Sequence, residues 1–178
     1  PDEVVGDLRT IQGKNAQDID FATASFGQGT AVTPLQMINA FSVLANGGLL
    51  MRPSILQDSK PITLRRVVSE ETTKKVIAMM ESAVEKAGVA SIPQFTIAGK
   101  TGTALIPDFK KGGYSDELVH TFIGMVPASR PQAVILIKLD KPKVGELAGI
   151  TVVPAFKELA QFFINYRQIA PDKPSTTF

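Results

Sequence analysis

Two apolar, strand-like runs that lie close together in the sequence constrain the fold of this chain more than any other feature. The runs span residues 119–126 and 133–139, and a short connection from Pro127 to Pro131 lies between them. Parallel neighbours need a crossover of about a dozen residues or more, so these strands are predicted to form an antiparallel hairpin. The run at 133–137 has no polar alternation, and we expect both of its faces to be covered.

A third strand and three helices complete the predicted core. Residues 95–104 lead into the first strand of an antiparallel meander, followed by a polar loop over 107–116. Start signals and helical apolar spacing predict helices from Pro34 to about residue 45, from Ser69 to Gly88, and over 151–166. The predicted fold class is α/β, in the form of an α+β sandwich with helices covering an antiparallel sheet.

The remaining segments carry weaker signals. Residues 1–30 are predicted to be loop with short irregular pieces, and residues 49–68 to be short extended segments. The apolar sides predicted for the second and last helices are Val76, Ile77, Met79, Met80, Ala83 and Val84, and Phe156, Leu159, Ala160, Phe162, Phe163 and Tyr166.

Composition excludes several function classes. The 178 residues suffice for one domain, the hydrophobic fraction is 44%, and the net charge of +2 gives no reason to expect nucleic acid as a partner. The chain has no cysteine and one histidine, which excludes thiolate metal sites, a cysteine nucleophile and a two-histidine metal site. No metal or cofactor is predicted. His120, alone in a strand, is more typical of a structural residue.

Two nucleotide-binding patterns fail. Gly99 and Lys100 end a P-loop pattern, but the position five residues before Gly99 is Gln94, where that pattern needs glycine. The Gly27 and Gly29 pair lacks the third glycine of a dinucleotide fingerprint.

Residues 100–103, called the KTGT segment below, combine a cation with two hydroxyls on a strand. Strand alternation puts Thr101 and Thr103 on one face and Lys100 on the other, and Gly102 leaves room for a close approach to the backbone. Such a strand can hold an extended peptide with a terminal carboxylate, and a backbone N–H beside Gly102 can donate to an oxyanion. These four residues alone also fit an ordinary strand with an exposed lysine.

The wider sequence resembles the class B penicillin-binding proteins. The KTGT segment looks like their K-T-G motif, which they share with serine β-lactamases. In the family's order, residues 25–29 and 32–37 resemble the glycine turn and following helix, 45–48 the end of that helix, 122–128 the strand after the K-T-G strand, and 153–157 the start of the final helix. The resemblance implies part of the penicillin-binding-protein and serine β-lactamase fold.

The resemblance implies roles for individual residues. Lys100, a catalytic residue in this resemblance, would shape the electrostatics of the site and help bind the substrate carboxylate, to which the Thr101 hydroxyl would donate a hydrogen bond. Gly102 would keep the strand clear, and Thr103 would supply the catalytic oxyanion N–H and a second carboxylate contact. Phe26 and Gln28 would border the cleft. The implied partners are peptidoglycan stem peptides and β-lactam antibiotics, and the implied location is extracytoplasmic, with a membrane anchor upstream.

The motifs of covalent chemistry are absent. None of the ten serines has lysine three residues on or asparagine two residues on, so the chain has no nucleophile of the S-x-x-K type. Residues 1–178 are therefore expected to be the C-terminal portion of a transpeptidase domain, inactive alone, with a flexible tail over 171–178. The missing N-terminal part would be a partner, and exposed core surface would allow self-association. The alternatives are a non-catalytic binding or assembly fragment and a serine β-lactamase-like penicillin sensor.

Overall fold

The computed structural model describes residues 4–108 and 110–174. The chain divides into two compact units, one up to Met37 and one from Ile38 onwards. None of the described helices has the length and hydropathy of a membrane span.

The first unit contains two short helices that the sequence did not indicate. They are α1 (Arg9–Gln12) and α2 (Asp18–Ala24), and α2 begins with a capping box in which the side chains of Gln17 and Asp20 bond each other's backbone N–H. The prediction of loop over 1–30 is wrong at these two places. Neither helix buries a residue, so neither has the apolar periodicity by which a helix is recognised in a sequence.

Helix α3 (Pro34–Ala45) begins and ends as predicted. Thr33 and Gln36 form a second capping box, since the Thr33 hydroxyl accepts from the Gln36 N–H and the Gln36 side chain accepts from the Thr33 N–H. At the other end the N–H of Gly48 donates to the carbonyl of Val43. Gly47 there has a φ of 66°, a backbone conformation that favours glycine.

The second unit is built on a three-stranded antiparallel sheet. Its strands are β3 (Ala98–Pro107), β4 (Tyr114–Val126) and β5 (Ala133–Asp140), in the order β3-β4-β5. A separate antiparallel pair, β1 (Leu49–Met51) and β2 (Thr63–Arg66), lies within the segment predicted to be extended. The predicted meander is confirmed, although β4 begins at Tyr114, inside the segment predicted to be loop.

Helices cover both faces of the sheet. On one face Phe122 of β4 packs edge-on against Phe156 of α6 (Val153–Tyr166), with ring centroids 4.6 Å apart. On the other face Met125 packs with Ile77 and Met80 of α4 (Glu70–Ala87). The larger cluster, around Phe122, also includes Ala148 of the short helix α5 (Ala148–Thr151). The predicted sandwich of helices on an antiparallel sheet is confirmed.

The predicted helices α4 and α6 exist, but parts of their predicted apolar sides are wrong. Ser69 caps α4, and Gly88 follows it in the left-handed conformation. On α4 the fully buried residues are Thr73 and Val84, and Met79 is 63% exposed. On α6 the buried residues are Val153, Phe156, Ala160 and Ile164; Phe162 and Tyr166 stack on each other in solvent. The apolar side of each helix is wider than its contact with the sheet, so the apolar residues at the edges of that side stay exposed.

The chain after α6 returns to the sheet and is held there. The carboxylate of Asp172 accepts hydrogen bonds from the backbone N–H and hydroxyl of Thr96 and from the hydroxyl of Ser129. The backbone N–H groups of Asp172 and Lys173 donate to the carbonyl of Gln94. This part of the segment predicted to be a flexible tail is thus bonded to the fold, while residues 175–178 lie outside the described residues. We call Thr96, Ser129 and Asp172 the Asp172 clasp.

Candidate substrate-binding strand

The KTGT segment lies on β3, which has β4 as its single neighbour within the described part of the chain. Thr101 pairs with Phe122, and Thr103 pairs with His120. Residues directly opposite each other share a face, so both threonines lie on the face covered by α5 and α6. Lys100 pairs with Ile123 and starts on the other face, as alternation predicts.

The lysine side chain reaches the backbone of the strand. Its Nζ donates a 2.6 Å hydrogen bond to the carbonyl oxygen of Thr101. Lys100 is exposed, and its four-carbon stem allows the ammonium to return to the neighbouring residue. Although the side chain leaves the strand on the face away from the threonines, its charge thus lies against the backbone of Thr101.

Gly102 has a steric role that the sequence did not reveal. A Cβ at this position would lie 2.4 Å from Oγ1 of Thr121, the residue opposite it on β4. The glycine therefore makes space for a neighbouring side chain within the sheet, in addition to the open backbone expected from the sequence. Thr121 was missed because its importance depends on the register between two strands.

The Thr103 side chain is exposed, and its hydroxyl is linked to α5. Oγ1 accepts a hydrogen bond from the backbone N–H of Ala148, with a nitrogen-to-oxygen distance of 3.4 Å. This is longer than the usual range for such bonds, about 2.7–3.2 Å, so the bond is weak. When its oxygen accepts from a backbone N–H, a hydroxyl keeps its own hydrogen to donate to a ligand.

His120, directly opposite Thr103, is completely buried. Its Nδ1 lies 2.8 Å from the hydroxyl of Thr151, and its Nε2 has no hydrogen-bond partner within the described residues. The expected place of this histidine, in the sheet next to the motif strand, is confirmed. Ala148 and Thr151 were missed, since the last helix was predicted to start at Thr151 and α5 was not anticipated.

Phe26 and Gln28 belong to the first unit. They lie in the turn after α2, where the N–H of Gln28 donates to the carbonyl of Thr23, and Phe26 is 71% exposed. Gly27 and Gly29 on either side of Gln28 have φ angles of 95° and 75°, which agrees with a glycine-bearing turn. The cleft role of Phe26 and Gln28 stays a prediction.

Two other features of the described residues bear on the choice of site. The described residues contain no group of three or more His, Cys, Asp or Glu side chains that could hold a metal ion. An open cavity of about 530 Å³ lies between Pro93 and the end of α6. Its lining includes Gln161 and Pro171 and none of residues 100–103.

Comparison with known proteins identifies the family. The model of the penicillin binding protein transpeptidase domain matches residues 2–161. The probable peptidoglycan D,D-transpeptidase PenA of Neisseria flavescens is 34% identical over 98% of this chain, and the peptidoglycan D,D-transpeptidase FtsI of Buchnera aphidicola is 32% identical over 89%. The chain belongs to the penicillin-binding protein transpeptidase family, so the resemblance seen in the sequence is confirmed.

Solved structures show the same fold. The transpeptidase domain of Burkholderia pseudomallei penicillin-binding protein 3 superposes with a TM-score of 0.83 at 30% identity over 95% of this chain and 52% of that one. Penicillin-binding protein 3 of Mycobacterium tuberculosis, complexed with ampicillin, gives 0.72 at 28% identity over 89% of this chain and 40% of that one.

The chain covers part of its relatives. It spans 44% of the length of the N. flavescens protein and 28% of the B. aphidicola protein, and it matches their C-terminal part.

Proposed function

We propose that this chain is the substrate-recognition part of a peptidoglycan D,D-transpeptidase, and that β3 binds the terminal carboxylate of a stem peptide or a β-lactam. The observation that carries this proposal is the KTGT segment on an edge strand, with the Lys100 ammonium at the Thr101 carbonyl and the Thr103 hydroxyl exposed two residues further on. A cation and hydroxyl donors on one strand bind a carboxylate well, because hydrogen bonds to a charged group are stronger than those between neutral groups.

The backbone of β3 would align the substrate. In a strand the N–H and C=O of one residue point to the same edge, and the next residue points to the other edge. Thr101 and Thr103 thus present their backbone groups along one edge, and the N–H of Thr103 would donate to the oxyanion that forms at the reacting carbonyl. An extended peptide binding there would add a strand to the sheet.

The covalent chemistry would come from a serine that this sequence does not contain. In the proposed reaction the serine oxygen attacks the carbonyl of the penultimate D-alanine, the bond to the terminal D-alanine breaks, and that D-alanine leaves with the proton of the serine. An amine of a neighbouring stem peptide then attacks the acyl-serine ester, the ester bond to the serine oxygen breaks, and the proton of the amine returns to that oxygen. The new amide bond crosslinks the two peptides. A β-lactam would acylate the same serine.

The location follows from the same proposal. The N. flavescens and B. aphidicola relatives are named as peptidoglycan D,D-transpeptidases, and peptidoglycan lies outside the cytoplasmic membrane. We therefore place this chain on the extracytoplasmic side, in a longer protein whose anchor and serine-bearing part precede it in sequence. That preceding part would be its partner within the domain and would cover its exposed core surface. The alternative is that two copies of the chain associate through that exposed surface.

Intact-mass measurement tests the proposal. The chain alone and the longer protein with the preceding domain segment are each incubated with benzylpenicillin. We expect a gain of one penicillin mass in the longer protein and no gain in the chain alone. A stoichiometric gain in the chain alone would refute the assignment of the nucleophile to the preceding part. No gain in the longer protein would refute the transpeptidase function.

A further inference from the structure

A buried histidine lies next to the proposed carboxylate site without taking part in it. His120 is 0% exposed, and its Nε2 has no partner within the described residues. An unpaired polar atom in a protein interior carries a desolvation cost that an apolar side chain of similar size avoids. Within the described residues, the polar contact of its side chain is the 2.8 Å hydrogen bond between Nδ1 and the Thr151 hydroxyl.

The tautomer of His120 follows from its surroundings. With the hydrogen on Nδ1, the ring donates to Thr151 and leaves only a lone pair unfilled at Nε2. With the hydrogen on Nε2, a buried N–H would have no acceptor, which is rarer in proteins than an unfilled acceptor. The structure therefore favours a histidine that donates to Thr151.

Helix α5, which carries Thr151, has little stability of its own. It has four residues, and its N-cap Leu147 makes no side-chain capping bond. A helix of this length does not persist without tertiary contacts. Its first residue, Ala148, is buried in the core and donates its N–H to Thr103. Its last residue, Thr151, bonds His120.

The two side-chain hydrogen bonds that join α5 to the sheet in the described structure thus end on one cross-strand pair, Thr103 and His120. The bond to Thr103 is long, at 3.4 Å, so a small movement of α5 breaks it. The bond to His120 is shorter, at 2.8 Å, and partly buried. The bond between His120 and Thr151 therefore limits the movement of α5 that would break the bond between Ala148 and Thr103.

We propose that His120 and Thr151 are positioning residues for Thr103. Their hydrogen bond holds α5 so that the Ala148 N–H stays on the Thr103 oxygen, which leaves the Thr103 hydrogen directed to the substrate carboxylate. The inference rests on the proposed function for its effect on acylation. We call the hydrogen bond between His120 and Thr151, which holds α5 on the sheet, the tether. The tether can be tested without that function.

The tether is tested in the chain itself by amide hydrogen exchange, read by NMR. Thr151→Val removes the hydroxyl and keeps the shape, and Thr151→Ser is the matched control that keeps the hydroxyl. We expect the Ala148 amide to exchange about tenfold faster in Thr151→Val, the effect of one lost hydrogen bond, and at the wild-type rate in Thr151→Ser. The amide of Ile135, the buried residue of β5, reports on global unfolding, and its exchange rate is expected to be unchanged.

Unchanged exchange at Ala148, or equal acceleration at Ala148 and Ile135, would overturn the tether. Because Thr151→Val leaves His120 without a partner and can lower the yield of folded protein, Thr103→Val is the second variant. It alters an exposed side chain, and it is expected to accelerate Ala148 exchange by removing the acceptor directly. Wild-type exchange in Thr103→Val would also overturn the proposal.

The effect on recognition is tested by acylation of the longer protein. Thr151→Val should slow acylation by benzylpenicillin on the order of tenfold, and it should affect the methyl ester of benzylpenicillin much less, since the ester has no carboxylate. In the Thr103→Val background, Thr151→Val should cause no further loss, because residues that act through one group are not additive. Equal slowing of acid and ester, or additive effects, would overturn the positioning role. If the wild-type longer protein is not acylated, the proposed function is refuted. The exchange experiment would still show whether the bond between His120 and Thr151 holds α5.

Discussion

The ammonium of Lys100 lies 2.6 Å from the carbonyl oxygen of Thr101, the next residue on the same strand. Strand alternation sends the two side chains to opposite faces, yet the length of the lysine side chain brings its charge back to the backbone between them. A positive charge is thus held beside a strand that also carries the hydroxyls of Thr101 and Thr103. This arrangement supports the proposal that β3 binds a carboxylate.

Removal of the lysine charge should weaken recognition without unfolding the protein. Lys100 is exposed, so Lys100→Gln should leave the melting temperature unchanged and slow acylation of the longer protein by benzylpenicillin at least about tenfold, the effect of one charge-assisted hydrogen bond. Lys86→Gln, at an exposed position in the last turn of α4, is the control. Equal acylation rates in the two variants would remove Lys100 from the site.

An added methyl group at Gly102 should collide with Thr121. The Cβ of alanine would lie 2.4 Å from the Thr121 oxygen, and relief by moving that side chain or the strands should cost about 1–3 kcal/mol. Urea unfolding of Gly102→Ala measures this loss. The double variant Gly102→Ala with Thr121→Ala removes the collision and should recover most of it. A double variant whose loss equals the sum of the two single losses would show that the contact is not the cause.

The Asp172 clasp should make stability depend on pH in the acid range. Burial raises the pKa of Asp172, but hydrogen bonds from Ser129 and Thr96 outweigh burial, so its pKa lies below the ordinary value of 3.8. A carboxyl with a lower pKa in the folded state contributes stability that is fully present above the unfolded pKa. That contribution is lost as the pH falls through the folded pKa.

Asp172→Asn should therefore lower the free energy of unfolding by about 1–2 kcal/mol at pH 7. The loss is expected to be this small because the site is partly open to solvent, where hydrogen bonds to a charged group stabilise the fold little more than those between neutral groups. The difference from wild type should shrink as the pH falls below about 4. Urea unfolding at pH 7 and pH 3 measures it, with Asp58→Asn at an exposed loop position as the control. A difference that stays constant with pH would contradict the role of the charge.

Local features of the sequence predicted most of the fold. The hairpin between β4 and β5 and the caps of α4 at Ser69 and Gly88 depend on residues close in sequence, so their signals are visible without a structure. The Asp172 clasp joins positions 76 residues apart. Nothing in the Pro-rich end of the chain distinguishes Asp172 from a solvated carboxylate, because its partners are set by how the tail folds back.

The residues proposed for the site come from the sequence, whereas the contacts that surround them come from the structure. The KTGT segment carries a motif, and alternation assigned its faces correctly. The contacts that surround it depend on strand register and on a short helix with no capping signal: Thr121 over Gly102, Ala148 on Thr103, and Thr151 on His120. These contacts are decided by packing between distant segments, which a single sequence does not display.

The second-order rate constant of acylation in Thr101→Val with Thr103→Val tests the central claim most directly. Valine keeps the shape of threonine and removes both hydroxyls, so the melting temperature should fall by only a few degrees, because the weak bond from the Ala148 N–H is lost. In the longer protein we expect the rate constant for benzylpenicillin to fall on the order of a hundredfold, the effect of two hydrogen bonds to a charged carboxylate. An unchanged rate constant in a folded double variant would contradict the assignment of β3 as the carboxylate-binding strand.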